Sequence, residues 1–170
     1  MSKVSVILPV YNGADFIESA LNSILIQTYT DFELLIYDDC SSDNTLSVIA
    51  NLSDERIRLF KGSKNIGSLK ARNFLFNKAV GKYFVFQDAD DWSDIKRIEK
   101  LVQYMNEHPE CGICGSNVNI YNNKGKFTIK TNKPTEAKLI KTLFKNEVPI
   151  YFPSSIVRKS VYEKLGGFKE

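Results

Sequence analysis

The sequence predicts an α/β fold with a mostly parallel central sheet flanked by helices, and three observations predict it. Short β-branched and aromatic runs alternate with amphipathic stretches of roughly ten to fifteen residues, in the order β-α-β-α-β-α-β-α, up to about His108. One run, Tyr83-Phe84-Val85-Phe86, is continuously apolar and too short for a helix, as a strand buried on both faces requires. Strand-like runs also end in polar or acidic turns, where ligands of parallel sheets collect. With 170 residues, 43% hydrophobic and 25% charged, the chain suffices for one full-sized domain, expected to span 1–170.

Taken in order, Val4 to Val10 reads as the first strand, ended by Pro9 and the turn Tyr11-Asn12-Gly13. Ile17, Ala20, Leu21 and Ile24 recur at helical spacing, predicting a helix over 14–27. Phe32 to Tyr37 is a second strand, and Asp43 is placed to cap a helix carrying Leu46, Ile49 and Ala50. Ile57 to Phe60 is a third strand. Ser68 opens a helix with Leu69, Leu75, Phe76 and Ala79 inward, closed by Gly81. After the fourth strand, a helix is predicted from Ser93 to His108 with Ile95, Ile98, Leu101, Val102 and Met105 inward. Ser116 to Tyr121 and Phe127 to Ile129 predict a β-hairpin about Asn122 to Gly125. Pro134 starts a helix bearing Leu139, Ile140, Leu143 and Phe144. Tyr151 to Ser155 is an aromatic loop, Ile156-Val157 a short strand, and Lys159 to Leu165 a last helix.

The fourth strand runs into Asp88-Ala89-Asp90-Asp91. Like charges about 4 Å apart repel by roughly 4 kcal/mol at an effective dielectric near 20. A hard divalent cation offsets that, because Mg²⁺ takes one or two carboxylates and completes its shell with water and phosphate oxygens. The simpler role, Asp91 or Ser93 capping the next helix, uses one carboxylate and leaves two unexplained. A phosphatase using a nucleophilic aspartate would carry its Asp-x-Asp after the first strand, which here ends in Pro9-Val10-Tyr11-Asn12. A nucleotidyltransferase would want a basic, glycine-rich loop there, and Asn12-Gly13-Ala14-Asp15 is neither.

The formal charge of +3 comes from scattered lysines, modestly clustered from Lys124 to Lys145, which is too mild for nucleic acid. No apolar run reaches membrane-spanning length and no signal peptide precedes the first strand, so the expected location is cytoplasmic. His108, Cys111 and Cys114 have ligand-like spacing, but a tetrahedral zinc site needs four ligands and Cys40 lies in a distant segment. The small residues around Cys114 suit the start of a strand instead.

Five blocks carry a resemblance: V-S-V-I-L-P-V-Y-N (4–12), D-D-C-S-S-D-N-T (38–45), N-I-G-S-L-K-A-R-N (65–73), D-A-D-D (88–91) and G-G-F-K-E (166–170). In this order they resemble the family 2 glycosyltransferases of the GT-A fold, a Rossmann-like nucleotide-diphospho-sugar transferase architecture, over essentially the whole chain. Cys40, where the family usually has glycine or asparagine, and Gln87, where it has an apolar residue, are departures. The resemblance implies an inverting transfer of sugar from a nucleotide diphosphate donor, UDP-linked by expectation, to a saccharide or lipid-linked saccharide acceptor, with Mg²⁺ or Mn²⁺. It implies that Pro9 and Tyr11 frame the base, Asp39 accepts a hydrogen bond from it, Arg72 lies near the nucleotide, Asp88 faces the ribose, and Asp90 binds metal with Asp91 beside it. Tyr151, Pro153 and Ser154 are expected on the acceptor side. The family's general base belongs to a Glu-Asp pair that would lie beyond Glu170, so the expectation is a donor-binding portion with an incomplete acceptor side. The alternative is a nucleotide-sugar-binding fragment without turnover. Peripheral association with the inner face of the membrane is expected through the missing C-terminal part.

Overall fold

The computed structural model describes residues 3–122, 124–143, 145–146 and 149–167. Expectations placed on Asn123, Phe144, Glu147 and the segment Phe168-Lys169-Glu170 lie outside the described residues. Strands β1 (Val4–Val10), β2 (Phe32–Asp38), β3 (Ile57–Lys61) and β4 (Tyr83–Phe86) alternate with α1 (Ile17–Leu25), α2 (Thr45–Ala50) and α3 (Ser68–Lys78). Then follow α4 (Arg97–Glu107), β5 (Ile113–Gly115), β6 (Asn119–Tyr121), β7 (Phe127–Lys130), α5 (Ala137–Leu143), a 3₁₀ turn (Phe152–Ser154), β8 (Ser155–Arg158) and α6 (Lys159–Leu165).

Six strands form one sheet in the order β3-β2-β1-β4-β8-β5. Its first four strands pair in parallel, and β8 pairs antiparallel with both β4 and β5. Alternation along each strand divides the core between two faces. Val4, Val6, Leu8 and Val10 of β1 and Leu34 and Ile36 of β2 pack with Ile17, Leu21 and Ile24 of α1 and Ile98, Val102 and Met105 of α4. Ile7, Leu35, Phe84 and Phe86 face the other way, onto Ala71, Leu75 and Phe76 of α3. Tyr162 of α6 lies against the Phe76 ring there, centroids 4.1 Å apart.

The helix expected from Pro134 begins at Ala137, and three further boundaries differ from the sequence expectation because of contacts distant in sequence. The first helix begins at Ile17, because the amides of Phe16 and Ile17 both donate to the Gly13 carbonyl and that of Ala14 donates to the Asp43 carboxylate. The fourth begins at Arg97, not Ser93, because the preceding segment is tied to the end of α1. The Gln27 amide donates to the Asp94 carbonyl, and the Thr28 amide donates to that of Ile95. Ile95 is consequently exposed rather than inward, and neither Asp91 nor Ser93 caps α4. The predicted strand 116–121 is divided: β5 ends at Gly115, Ser116 donates its amide to the Ser154 carbonyl, and only 119–121 joins the separate β6–β7 ribbon.

Candidate active site

The chain lays down β1, β2 and β3 outward in one direction and then returns to place β4 on the far side of β1. Such a reversal opens a crevice beyond the carboxyl ends of β1 and β4. A cleft of about 360 Å³ lies there. Its lining brings together Pro9 and Tyr11 from the end of β1, Arg72 from α3, and Asp88 and Asp90 from the loop after β4. Five of the residues singled out in the sequence therefore share one cavity. Asp39 and Asp91 stand outside its lining, Ser68 of the 65–73 block joins it, and Phe16 joins it without having been anticipated. Phe16 is 56% exposed although it directly precedes α1, and that exposed ring beside Tyr11 is a signal that helical periodicity alone does not report.

The block 38–45 holds the β1 loop in place. Asn12 donates its amide to Ser41 Oγ (2.9 Å) and accepts the Ser42 amide on Oδ1 (2.8 Å). The Gly13 amide donates to Thr45 Oγ1 (2.9 Å) and that of Ala14 to Asp43 Oδ2 (3.0 Å). The Thr45 hydroxyl, ahead of the backbone amides, holds the Asp43 carboxyl below the usual carboxylate range. A Cβ on Gly13 would sit 2.8 Å from Val10 Cγ2 and 3.7 Å from Ala89 Cβ, so glycine is what lets the loop lie this close to β1. Asn12 and Cys40 adopt positive φ, 50° and 65°, in the left-handed region that glycine and asparagine enter most readily.

Asp39 is 3% exposed, with Oδ1 accepting the Ile66 amide (2.7 Å) and Oδ2 that of Gly67 (2.8 Å). It thus fixes the entry to α3, the helix that carries Arg72. Asp38, also buried, accepts the Ser41 amide on Oδ2, while its Oδ1 has no partner.

The acidic loop is held from beneath by a network that the sequence did not single out. Gln87 donates to the Asp88 and Asp91 carbonyls (3.0 and 2.8 Å), and its Oε1 accepts from the Ser93 hydroxyl (2.7 Å) and Arg97 (2.9 Å). Arg97 also donates to the carbonyls of Phe86 (2.6 Å) and Pro153 (2.7 Å), joining the end of β4 to the 152–154 turn. Burial pushes its pKa down to about 10, against the pull of Asp91 and Asp88. A lone arginine on a helix carries no such signal in sequence. Gln87, an amide at the end of an apolar strand, was the available clue.

Arg72 and Asp88 form an ion pair at 2.7 Å, and the Arg72 guanidinium lies 5.6 Å from the Phe152 ring centroid. Asp91 has its carboxyl raised above the usual range, by desolvation first and then by Asp90 and Asp88. Among the described residues no group of three or more His, Cys, Asp or Glu is arranged to hold a metal. Asp90 and Asp91 can offer one or two oxygens, which fits a hard cation whose other ligands are phosphate and water. The raised Asp91 marks negative charge that such a cation would neutralise.

On the expected acceptor side, Tyr151 and Pro153 are half-buried and Ser154 is 4% exposed. The Ser154 hydroxyl lies within hydrogen-bond reach of the Ser116 and Tyr151 carbonyls (2.9 and 2.8 Å). None of the three lines the cleft at the β1–β4 reversal. No helix among the described residues is long and apolar enough to cross a membrane.

Residues 5–166 match the family model described as glycosyl transferase family 2. The chain is 36% identical over 140 residues to an Escherichia coli protein named UDP-Glc:alpha-D-GlcNAc-diphosphoundecaprenol beta-1,3-glucosyltransferase WfgD, covering 81% of this chain and 55% of that one. Similar solved structures include S. aureus TarS 1-349 in complex with UDP-GlcNAc, with a TM-score of 0.75 and 22% identity over 96% of this chain and 47% of that one. Another is the mannosyltransferase PcManGT from Pyrobaculum calidifontis in complex with GDP-Man and Mn²⁺, with a TM-score of 0.74 and 22% identity over 98% and 47%. At that identity the structures establish a shared fold. The chain spans about half the length of these relatives.

Proposed function

The chain belongs to glycosyl transferase family 2, and on that premise we propose that it binds a nucleotide diphosphate-sugar, UDP-linked, and serves its transfer to an acceptor hydroxyl with inversion at the anomeric carbon. The observation that carries this reading is the crevice at the β1–β4 reversal, which gathers an exposed aromatic side chain, an arginine and carboxylates. Pro9 and Tyr11 frame the base, Asp39 accepts a hydrogen bond from it while holding the entry to α3, and Asp88 faces the ribose, oriented by Arg72. Asp90, with Asp91 beside it, would hold Mg²⁺ or Mn²⁺, which when bound neutralises the departing diphosphate.

In the transfer, the bond from anomeric carbon to phosphate oxygen breaks with its electron pair going to the diphosphate. The acceptor oxygen bonds to that carbon from the opposite side, and the hydroxyl proton passes to a general base. Among the described residues the carboxylates lining the crevice are Asp88 and Asp90, both given to the donor, so neither is assigned as that base. Tyr151 and Pro153 are proposed to wall the acceptor side, with Ser154 acting through the backbone it fixes. The acceptor is proposed to be a saccharide, free or lipid-linked, a reading supported by the name of the WfgD relative.

The test is ligand binding followed by thermal shift across UDP, GDP and simple phosphate monoesters, each with and without Mn²⁺. UDP with Mn²⁺ is expected to raise the melting temperature most, because a ligand that binds only the native state stabilises it by mass action. Equal stabilisation by phosphate monoesters would overturn the reading.

A further inference from the structure

We propose that the β6–β7 ribbon and the α5 segment form the face by which this protein docks on an anionic lipid bilayer. The first observation is charge. Residues 119–146 hold seven lysines and one acidic residue, Glu136, a net charge of +6 in a chain whose total is +3. The remainder is therefore net negative, at −3, and would be repelled by the surface that attracts this segment. Lys124, Lys126, Lys130, Lys138, Lys141 and Lys145 are all exposed, and among the described residues none of these six makes an ion pair.

The second observation is what stands between the lysines. No described residue of β6, β7 or α5 is buried. Yet the cross-strand pairs Ile120–Ile129 and Tyr121–Phe127 are apolar, with Phe127 52% and Ile129 54% exposed. Leu139 of α5 is exposed as well, between Lys138 and Lys141. A two-stranded ribbon is marginal in water by itself, and exposed rings in contact with one another, as Tyr121 is with Phe127 at 5.8 Å between centroids, mark an interaction site. Apolar and aromatic side chains that enter the headgroup boundary, flanked by lysines whose ammonium groups reach phosphate, are the chemistry of an interfacial membrane contact. A folded protein partner would not by itself call for so one-sided a charge.

The third observation links this face to the crevice. Trp92 directly follows Asp91, is 58% exposed, and lies with its ring 5.0 Å from that of Tyr121. Docking through the ribbon would therefore bring the acidic loop to the bilayer surface, where a lipid-linked acceptor is presented. The inference about docking rests on the surface itself; only this last consequence rests on the transferase reading.

Trp92 is the single tryptophan of the chain, so all tryptophan emission comes from the ring that lies against Tyr121 of this face. The experiment is vesicle flotation of the protein at low salt, with phosphatidylcholine alone and with phosphatidylcholine mixed with phosphatidylglycerol, while Trp92 emission is recorded. The protein is expected to float only with anionic vesicles, with a blue-shifted emission, and to be released as salt shortens the screening length to about 3 Å at 1 M. K126E/K130E is expected to lower partitioning by at least about twentyfold, from about fivefold per lysine. F127S/I129S is expected to abolish the emission shift, and because both side chains are exposed its melting temperature should stay that of the parent. UDP affinity, measured separately by calorimetry, should be unchanged in both variants, so failure of docking and failure of the donor site are distinguishable. Absence of flotation with anionic vesicles, equal flotation with neutral ones, or variants that float like the parent would each overturn the proposal. So would a concentration-dependent dimer in sedimentation that F127S/I129S dissolves, which would make this face a contact between copies.

Discussion

Arg97 is the side chain whose loss reaches furthest, because one guanidinium holds the Phe86 carbonyl, Gln87, Ser93 and the Pro153 carbonyl. Arg97→Met should destabilise the fold by about 3 kcal/mol, since buried acceptors lose a charged donor. Arg97→Lys should recover part of the stability, because it keeps the charge but cannot reproduce the fork. Urea unfolding measures both, and a Met variant as stable as the parent would remove Arg97 from the account. Asp39 needs a similar distinction. Removing its carboxylate leaves the Ile66 and Gly67 amides without acceptors, so Asp39→Ala should cost about 1 to 3 kcal/mol of stability as well as nucleotide affinity. Asp39→Asn, which keeps one acceptor, should retain more of the fold while still weakening UDP. At Cys40, with φ of 65°, glycine should stabilise by about 1 kcal/mol and valine should destabilise, as urea midpoints would show. Asp91 sets a pH dependence. Its folded pKa is raised, so its contribution to stability is present below the unfolded value and lost as pH rises through the folded one. A bound cation competes with that proton, so Mn²⁺-dependent UDP affinity should fall as pH drops toward the carboxylate range, and Asp90→Asn should shift any residual dependence to lower pH.

Between elements, the loops after β1 and β2 act as one unit, because four hydrogen bonds from Asn12, Gly13, Ala14 and Ser42 run between them. Thr45→Val removes the acceptor of the Gly13 amide and the hydroxyl that Asp43 holds. It should loosen the Tyr11 loop, weakening UDP binding more than it lowers the melting temperature, with amide exchange at 12–14 as the readout. Much of this level was legible in the residues. The four expected strand runs became the four parallel strands, because period and burial act locally, whereas the N-cap position of the second helix falls to Asn44 and Asp43 instead accepts from Thr45 one residue further out. What was not legible came from contacts distant in sequence. Gln27 and Thr28 tie down 94–95 and delay α4, Ser154 draws Ser116 away from a continuous strand, and Arg97 joins β4 to a turn more than fifty residues on. None of these has a periodicity to detect. Phe16, exposed beside the crevice, belongs to the same class.

For the molecule as a whole, the strand order explains why separate motifs become one site. The outward run β1-β2-β3 and the return to β4 leave the crevice where the Tyr11 loop, Arg72 and the acidic loop converge. Of the residues named by the resemblance, Pro9, Tyr11, Arg72, Asp88 and Asp90 line the crevice while Asp39 and Asp91 stand outside its lining, and the topology supplies the physical reason for the five. Asp90 is the one of them that is exposed in the crevice and free for a cation while Asp88 is engaged by Arg72. A cation held by Asp90 is tested most simply by calorimetry of UDP against the parent and Asp90→Asn, with Mn²⁺ and with a chelator. Mn²⁺ is expected to tighten UDP binding to the parent by at least about tenfold, chelation to remove this gain, and Asp90→Asn to show none of it while melting at the parent's temperature. Equal UDP affinity for parent and variant, unaffected by chelator, would contradict a cation held between Asp90 and the diphosphate.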